Sequence, residues 1–158
     1  MLSKIVKLND LVQKARDLHS SGKQIVFTNG CFDIMHVGHV RYLAAARAEG
    51  DVLIVGLNSD KSVKSIKGDK RPIVPQDQRA EVLSGMWFVD YITIFHEPDP
   101  LKLIQAIKPD VLVKGEDWLE DKIIGADFVK ANGGRVIRVP MVHGISTSSI
   151  VENIKQYC

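Results

Sequence analysis

The chain has 158 residues, enough for one domain with a sizeable core and short for two. Lys and Arg total 21 against 19 Asp and Glu, a net charge of +2 with no block of like charges, which argues against a dedicated nucleic-acid surface. Two cysteines, no apolar run near the ~20 residues of a bilayer span and no secretory h-region argue against a disulfide framework, a membrane protein and an exported one, so a reducing cytoplasm is expected.

In chain order the elements alternate. Asn9 or Asp10 can cap a helix over Leu11 to His19, so residues 1–22 read as a helical appendage packed on an edge. Residues 24–28 are a predicted strand and 38–49 a helix ending at Gly50. The run 51–57 (DVLIVGL) is a second strand, 76–85 a helix and 91–95 a third strand. A helix over 99–107 is closed by Pro109, and 111–113 is the fourth strand. A helix over 121–131 stops at Gly133-Gly134, 135–139 is the fifth strand and 148–156 the last helix. Buried Val/Ile/Leu runs between amphipathic helices predict an α/β fold, a doubly wound five-stranded parallel sheet in a single domain over 1–158. The stretch from Ser59 to Pro75 carries Lys61, Lys64, Lys67, Lys70 and Arg71 with few large apolar residues, and reads as a mobile flap bringing Lys67 to a site.

The most informative segment is Asn29-Gly30-Cys31-Phe32-Asp33-Ile34-Met35-His36-Val37-Gly38-His39, between the first strand and its helix. Backbone N–H groups at such a turn meet an incoming anion, and the helix N-terminus favours negative charge there. Two imidazoles three residues apart can add hydrogen bonds to the same group. That pattern points to an enzyme handling phosphate. A zinc pair is a weaker reading, because no third ligand has matching spacing. A dinucleotide fingerprint is not met, since only Gly30 and Gly38 occur where three closely spaced glycines are required. Cys31 reads as a small space-filling residue rather than a nucleophile.

Ligands of such sheets sit beyond the carboxyl ends of the strands. That rule adds Asn58-Ser59-Asp60, the Lys67-Gly68 loop, Lys114-Gly115-Glu116-Asp117-Trp118 and the run Gly144-Ile145-Ser146-Thr147-Ser148-Ser149 as rim segments, with Arg79 near a helix start able to point at the same rim.

Together these residues resemble the nucleotidylyltransferase superfamily that shares the HxGH signature. From about residue 23 onward, FTNGCFDIMHVGHVRYL, GLNSDKSVKSIKG, the RPI at Arg71 to Ile73, IKPDVLVKGEDW and the GISTSS ending look most like the adenylyltransferase domain of ADP-heptose biosynthesis enzymes. In many bacteria that domain is fused behind a sugar kinase, and this chain is expected to be a stand-alone version. The resemblance implies a Rossmann-like fold and transfer of AMP from ATP to D-glycero-β-D-manno-heptose 1-phosphate, with Mg²⁺ carried in on the nucleotide. It implies catalytic His36, His39, Lys67 and Arg79, with Arg79 on the leaving group. Asn29, Gly30, Phe32, Lys114, Gly115, Asp117, Ser146, Thr147 and Ser148 join the histidines around the nucleotide. Asp33, Asn58 and Lys67 are expected toward the acceptor, Asp33 serving either the turn or the acceptor. No residue is expected to bind metal, and a homodimer is expected because related enzymes associate.

The close alternative is glycerol-3-phosphate cytidylyltransferase. That family carries an RTEGIST segment, whereas here Met141, Val142 and His143 precede Gly144-Ile145-Ser146-Thr147, so its arginine is missing. Other readings are adenylyl transfer to phosphopantetheine or flavin mononucleotide, and a nucleotide-binding regulatory module without turnover. The paired histidines favour an enzyme over the last.

Overall fold

The computed structural model describes residues 2–157. Its strands are β1 (Ile25–Gly30), β2 (Val52–Asn58), β3 (Tyr91–Phe95), β4 (Val111–Gly115) and β5 (Arg135–Val139). Its helices are α1 (Leu8–Ser20), α2 (Val37–Arg47), α3 (Asp60–Lys67), α4 (Gln76–Ser84), α5 (Leu101–Ile107), α6 (Ala126–Ala131) and α7 (Thr147–Tyr157), with 3₁₀ turns at Leu2–Lys4 and Glu120–Lys122. The strands form one parallel sheet in the order β3-β2-β1-β4-β5. This is the expected doubly wound α/β sheet. None of the described helices is long and apolar enough to cross a membrane.

The period-2 alternation of the strands divides the core between two faces. Val26, Val55, Leu57 and Val113 pack on one face with Leu43 and Ala46 of α2 and Ala80 and Leu83 of α4. Ile25, Phe27, Ile54 and Leu112 pack on the other with Leu103, Ile104 and Ile107 of α5 and Val129 of α6. Because both faces are covered, β1 and β2 read as nearly continuous apolar runs.

The chain runs outward from β1 through β2 to β3, then returns past β1 to lay down β4 and β5. Connections after β1 and β4 therefore diverge. The crevice this opens beyond the carboxyl ends of β1 and β4 positions the site.

Four expectations are corrected. The N-terminal helix begins at Leu8 with Lys7 at its N-cap and no side-chain cap, rather than at an Asn9 or Asp10 cap. It is a member of the second layer rather than an appendage, since Leu11 and Ala15 are buried and the helix packs on α5, β3 and β1. Ahead of it, Val6 donates its N–H to Ile92 O at 2.9 Å and shields the β3 edge. The expected flap begins with a helix, α3, capped by Ser59 accepting from Ser62 N and anchored by buried Ser62 and Val63. The expected helix over 121–131 is a 3₁₀ turn and then α6, separated at Gly125. That glycine has φ 89°, and a Cβ on it would come within 2.6 Å of Ile104 Cδ1.

The place of α1 in the core is testable by truncation. Leu11→Ala removes a fully buried side chain and is expected to cost about 2–5 kcal/mol. Urea unfolding measures it, and a cost below about 0.5 kcal/mol, typical of a surface change, would return α1 to the status of an appendage.

Candidate active site

The site is built around the turn that leaves β1. Phe32 and Ile34 both adopt the left-handed conformation, with φ of 44° and 45°. This is costly for any side chain and most for a β-branched one. Three anchors hold it. Arg79 donates from Nη1 to Cys31 O, and Thr147 donates from Oγ1 to Asp33 O at 2.8 Å. The Asp33 carboxylate accepts from Ile73 N at 2.9 Å, Val74 N at 2.9 Å and Arg71 Nε at 2.7 Å. Burial on its own would raise the Asp33 pKa. The two amides and the guanidinium outweigh it and hold the carboxyl below its ordinary value.

These bonds also tie down the loop from Gly68 to Pro75, the second half of the expected flap. They give Asp33 the turn-supporting role, one of the two that were open. Neither of its oxygens is left for a sugar hydroxyl without competition from a backbone amide.

Arg79 departs from expectation. It is 1% exposed, and its guanidinium donates to Val74 O, Cys31 O, Asn58 O and Asp60 Oδ1. It joins the β1 turn, the end of β2, the start of α3 and the loop before α4. Four acceptors surround it inside the protein, so it braces the rim and does not line the cleft. The sequence could place an arginine near the rim but could not show which side of α4 it faces.

The histidines open α2. His36 is the N-cap residue and His39 lies in the first turn. Their rings stack with centroids 3.9 Å apart, and Phe32 meets His39 edge-on at 5.4 Å. Gly38 permits this packing, because a Cβ there would come within 2.9 Å of the His36 imidazole. Each ring has a buried Nδ1 with no hydrogen-bond partner among the described residues. Burial lowers the pKa of both. For His39, with His36 and Lys67 adding to the effect of burial, it falls to about 4. At neutral pH both imidazoles are therefore uncharged. An arriving polyphosphate would draw protons onto them and strengthen the hydrogen bonds that they donate.

The cleft has a volume of about 360 Å³. Of the expected residues, Asn29, Gly30, Phe32, Asp33, His39, Asn58, Lys67, Lys114, Gly115, Asp117 and Thr147 line it. His36 stacks behind His39. The Asn58 side-chain amide donates to Ser62 Oγ, which supports α3. Ser146 shares reciprocal hydrogen bonds with Ser149 that cap α7, and Ser148 is exposed beside it. Lining residues that sequence reasoning did not assign to the site include Arg71, Ile66, Trp118, Met141 and the Pro98-Asp99-Pro100 turn. The segments that carry the resemblance contain Arg71, Ile66 and Trp118, and Met141 stands where the cytidylyl family has its arginine, but spacing gives no signal for which of their side chains turn inward.

Lys114 is 9% exposed at the end of β4 and donates to Asn29 Oδ1 at the end of β1. Burial brings its pKa down to about 8 against the opposing pull of Asp117 and Cys31. The Cys31 thiol is itself pushed up by burial. Among the described residues no group of three or more His, Cys, Asp or Glu is placed to hold a metal ion.

Two outcomes follow from this geometry. Arg79→Lys keeps the charge but cannot reproduce the fork, and is expected to cost roughly 2–4 kcal/mol in urea unfolding. An arginine that served phosphate alone would leave stability unchanged. The second outcome concerns pH. His39 takes its proton near pH 4 in the fold but near 6.5 in the unfolded chain. Its contribution to stability is present above pH 6.5 and is lost as pH falls toward 4. His39→Gln is expected to flatten the pH dependence of thermal unfolding over that window. An unchanged slope would contradict the buried neutral imidazole.

A cytidylyltransferase-like family profile matches residues 27–153. The bifunctional protein HldE of Citrifermentans bemidjiense is 49% identical over 96% of this chain, and this chain spans 31% of that protein. The chain thus covers about a third of the length of the curated relatives that it matches. A crystal structure of the lipopolysaccharide core biosynthesis protein from Thermoplasma volcanium is 30% identical, covers 77% of this chain and 98% of its own, and superimposes with a TM-score of 0.64. A pantoate-beta-alanine ligase from Francisella tularensis, 19% identical and covering 97% of this chain and 77% of its own, shares the fold with a TM-score of 0.66. The chain belongs to the cytidylyltransferase-like family of nucleotidyltransferases, the HxGH superfamily.

Proposed function

We propose that the chain transfers AMP from ATP to D-glycero-β-D-manno-heptose 1-phosphate, giving ADP-heptose and pyrophosphate. The observation that carries the reaction class is the stacked neutral pair His36 and His39 at the start of α2, behind a strained turn that faces the cleft. The sugar acceptor rests on the resemblance of the whole chain to the ADP-heptose enzymes, with the HldE relatives and the lipopolysaccharide core biosynthesis protein as support.

In the reaction an acceptor phosphate oxygen attacks the α-phosphorus of ATP. The bond from that phosphorus to the bridging oxygen breaks, and its electron pair leaves with pyrophosphate. The attacking oxygen is already anionic at neutral pH, so no strong general base is needed. Positioning and charge stabilisation then supply most of the rate. The N–H of Phe32, which has no acceptor among the described residues, is offered to the α-phosphate. His36 and His39 hydrogen-bond the α- and β-phosphates as charge builds on the bridging oxygen. Lys67, at the end of α3, neutralises phosphate oxygens. Ser146, Thr147 and Ser148 present the N-terminus of α7 to the β- and γ-phosphates. Arg79 acts by positioning the turn.

Magnesium fits this site as a companion of the triphosphate. Asp33 is fully engaged, and Asp99 and Asp117 are the other carboxylates lining the cleft, few for a protein cage. Bound in that way, it would neutralise phosphate charge.

On the β4–β5 side, Gly115 and Asp117 border the space assigned to adenosine. Met141 closes it, with its sulfur 2.8 Å from where a Gly115 Cβ would lie. An apolar wall at the position of the cytidylyl family's arginine supports adenine over cytosine. We place the enzyme in the cytoplasm, the compartment expected from its cysteine content. We also propose that two copies associate, supported by the exposed apolar side chains of Leu2 and Val82, on a 3₁₀ turn and a helix that touch, and of Trp87 in the turn after α4. Light scattering at twice 17.6 kDa would support the dimer, and a monomeric mass would overturn it.

Pyrophosphate release tests the reaction. ATP with heptose 1-phosphate is expected to turn over with strong preference over CTP. CTP with glycerol 3-phosphate at comparable kcat/KM would move the chain to the cytidylyl reading. His36→Ala or His39→Ala is expected to lower kcat on the order of 10²-fold or more, with smaller effects on KM. Near-normal turnover in both variants would remove the histidines from the chemistry.

A further inference from the structure

Lys114 is a buried cation whose charge the protein leaves incompletely answered. Its one hydrogen bond among the described residues goes to the neutral amide oxygen of Asn29, and the Trp118 ring lies 5.6 Å from Nζ. The charged or titratable groups that act on it are Asp117 on its own loop and Cys31 on the β1 turn, and the Tyr42 hydroxyl of α2 belongs to the same cleft lining. That hydroxyl is already paired with Thr28 Oγ1 and Val113 O. Arg79, buried just as deeply, has four acceptors. An ammonium has three donors, and burying one with a single neutral partner is costly. The cost is recovered when an anion enters the cleft that Lys114 lines.

The chemistry of the reaction narrows the choice of anion. Donors suited to the triphosphate are grouped at the turn, α2, the end of α3 and the start of α7: Phe32, His36, His39, Lys67 and Thr147. The nucleoside brings no charge to the floor of the cleft. The remaining anion is the phosphate monoester of the second substrate. We propose that Lys114 is the receptor for the acceptor's phosphate, with Asn29 orienting its ammonium at the seam between β1 and β4. This revises the expectation that Lys114 lies with Gly115 and Asp117 at the adenosine. It rests on the adenylyl-transfer reading given above.

Trp118 provides a direct readout. The chain has two tryptophans. Trp87 is 83% exposed and outside the cleft, so Trp87→Phe leaves Trp118 as the sole reporter. In that background Trp118 fluorescence is expected to titrate near pH 8 in the free protein. Heptose 1-phosphate or inorganic phosphate is expected to move the midpoint up by about one unit, as an anion beside an ammonium does. Lys114→Met should abolish the titration and leave thermal stability unchanged or higher, because it removes an uncompensated buried charge. It should raise the acceptor KM by roughly 30-fold or more while the ATP KM stays within about threefold, the pattern for losing one charge-assisted contact to a single substrate. Lys114→Arg should restore part of the acceptor affinity.

A rise in the ATP KM with the acceptor KM unchanged would overturn the proposal, as would a fall in stability with both KM values intact. If inorganic phosphate shifts the midpoint and heptose 1-phosphate does not, Lys114 stands as a phosphate receptor and the sugar assignment falls. If pyrophosphate release with heptose 1-phosphate is normal and neither anion moves the midpoint, the enzyme reading stands and Lys114 does not.

Discussion

One guanidinium holds three separate stretches of this chain in register. Arg79 reaches Cys31 O at the β1 turn, Asn58 O at the end of β2, Asp60 at the start of α3 and Val74 O in the loop before α4. None of these segments is adjacent to α4 along the chain except the last. A buried arginine is tolerated only where its donors are answered, and here the answering groups are mostly backbone carbonyls that would otherwise lack partners. The left-handed residues Phe32 and Ile34 depend on this bracing, because a strained turn persists only where its surroundings over-determine it. The Asp33 carboxylate supplies the complementary half: it gathers the Arg71 to Val74 loop from the opposite direction. Thr147 adds the third tie and aligns the start of α7 with the turn.

That bracing leaves the reacting groups underused in the free protein. Among the described residues the Nδ1 atoms of His36 and His39 lack partners, and Lys114 has one neutral hydrogen-bond partner. Each is a polar group held in a poorly solvated place, and under the proposed function each would become better satisfied when phosphate enters. The protein thus keeps its structural polar groups saturated and its functional ones unsaturated. This division separates Arg79 from Lys114, although both are basic, buried and close to the rim. It also accounts for the downward pKa shifts of the histidines and Lys114, since burial without a counter-charge disfavours the charged form. Anions would reverse these shifts at the moment of binding.

Much of this was legible in the residues because the physics is local. Continuous Val/Ile/Leu runs mark strands covered on both faces, and all five strands lie close to where they were read. The turn at Asn29 to His39 was legible because the glycine, the histidines and the helix start occupy a single short segment. What was not legible depends on which way a side chain turns in three dimensions. The lysines of α3 hid a helix anchored by two buried positions, Ser62 and Val63, although Ser59 and Asp60 form a reasonable N-terminal signal. Arg79 could be placed near the rim but not on its inner or outer side. Leu11 and Ala15 look like the apolar stripe of any amphipathic helix, and nothing local says that the stripe covers the sheet. Met141 was noticed for the arginine that it replaces, while its contact with Gly115 required the fold.

The central claim is that the turn proposed to bind phosphate is built before substrate arrives. Amide hydrogen exchange, resolved by residue with and without Mg²⁺-ATP, tests it most directly. The account predicts that Ile73 and Val74 N–H are protected in the free protein by the Asp33 carboxylate, while Phe32 N–H exchanges freely and gains protection only with the nucleotide. Free exchange at Ile73 and Val74 until ATP is added would contradict it, and would mean that the loop and the turn are assembled by the substrate.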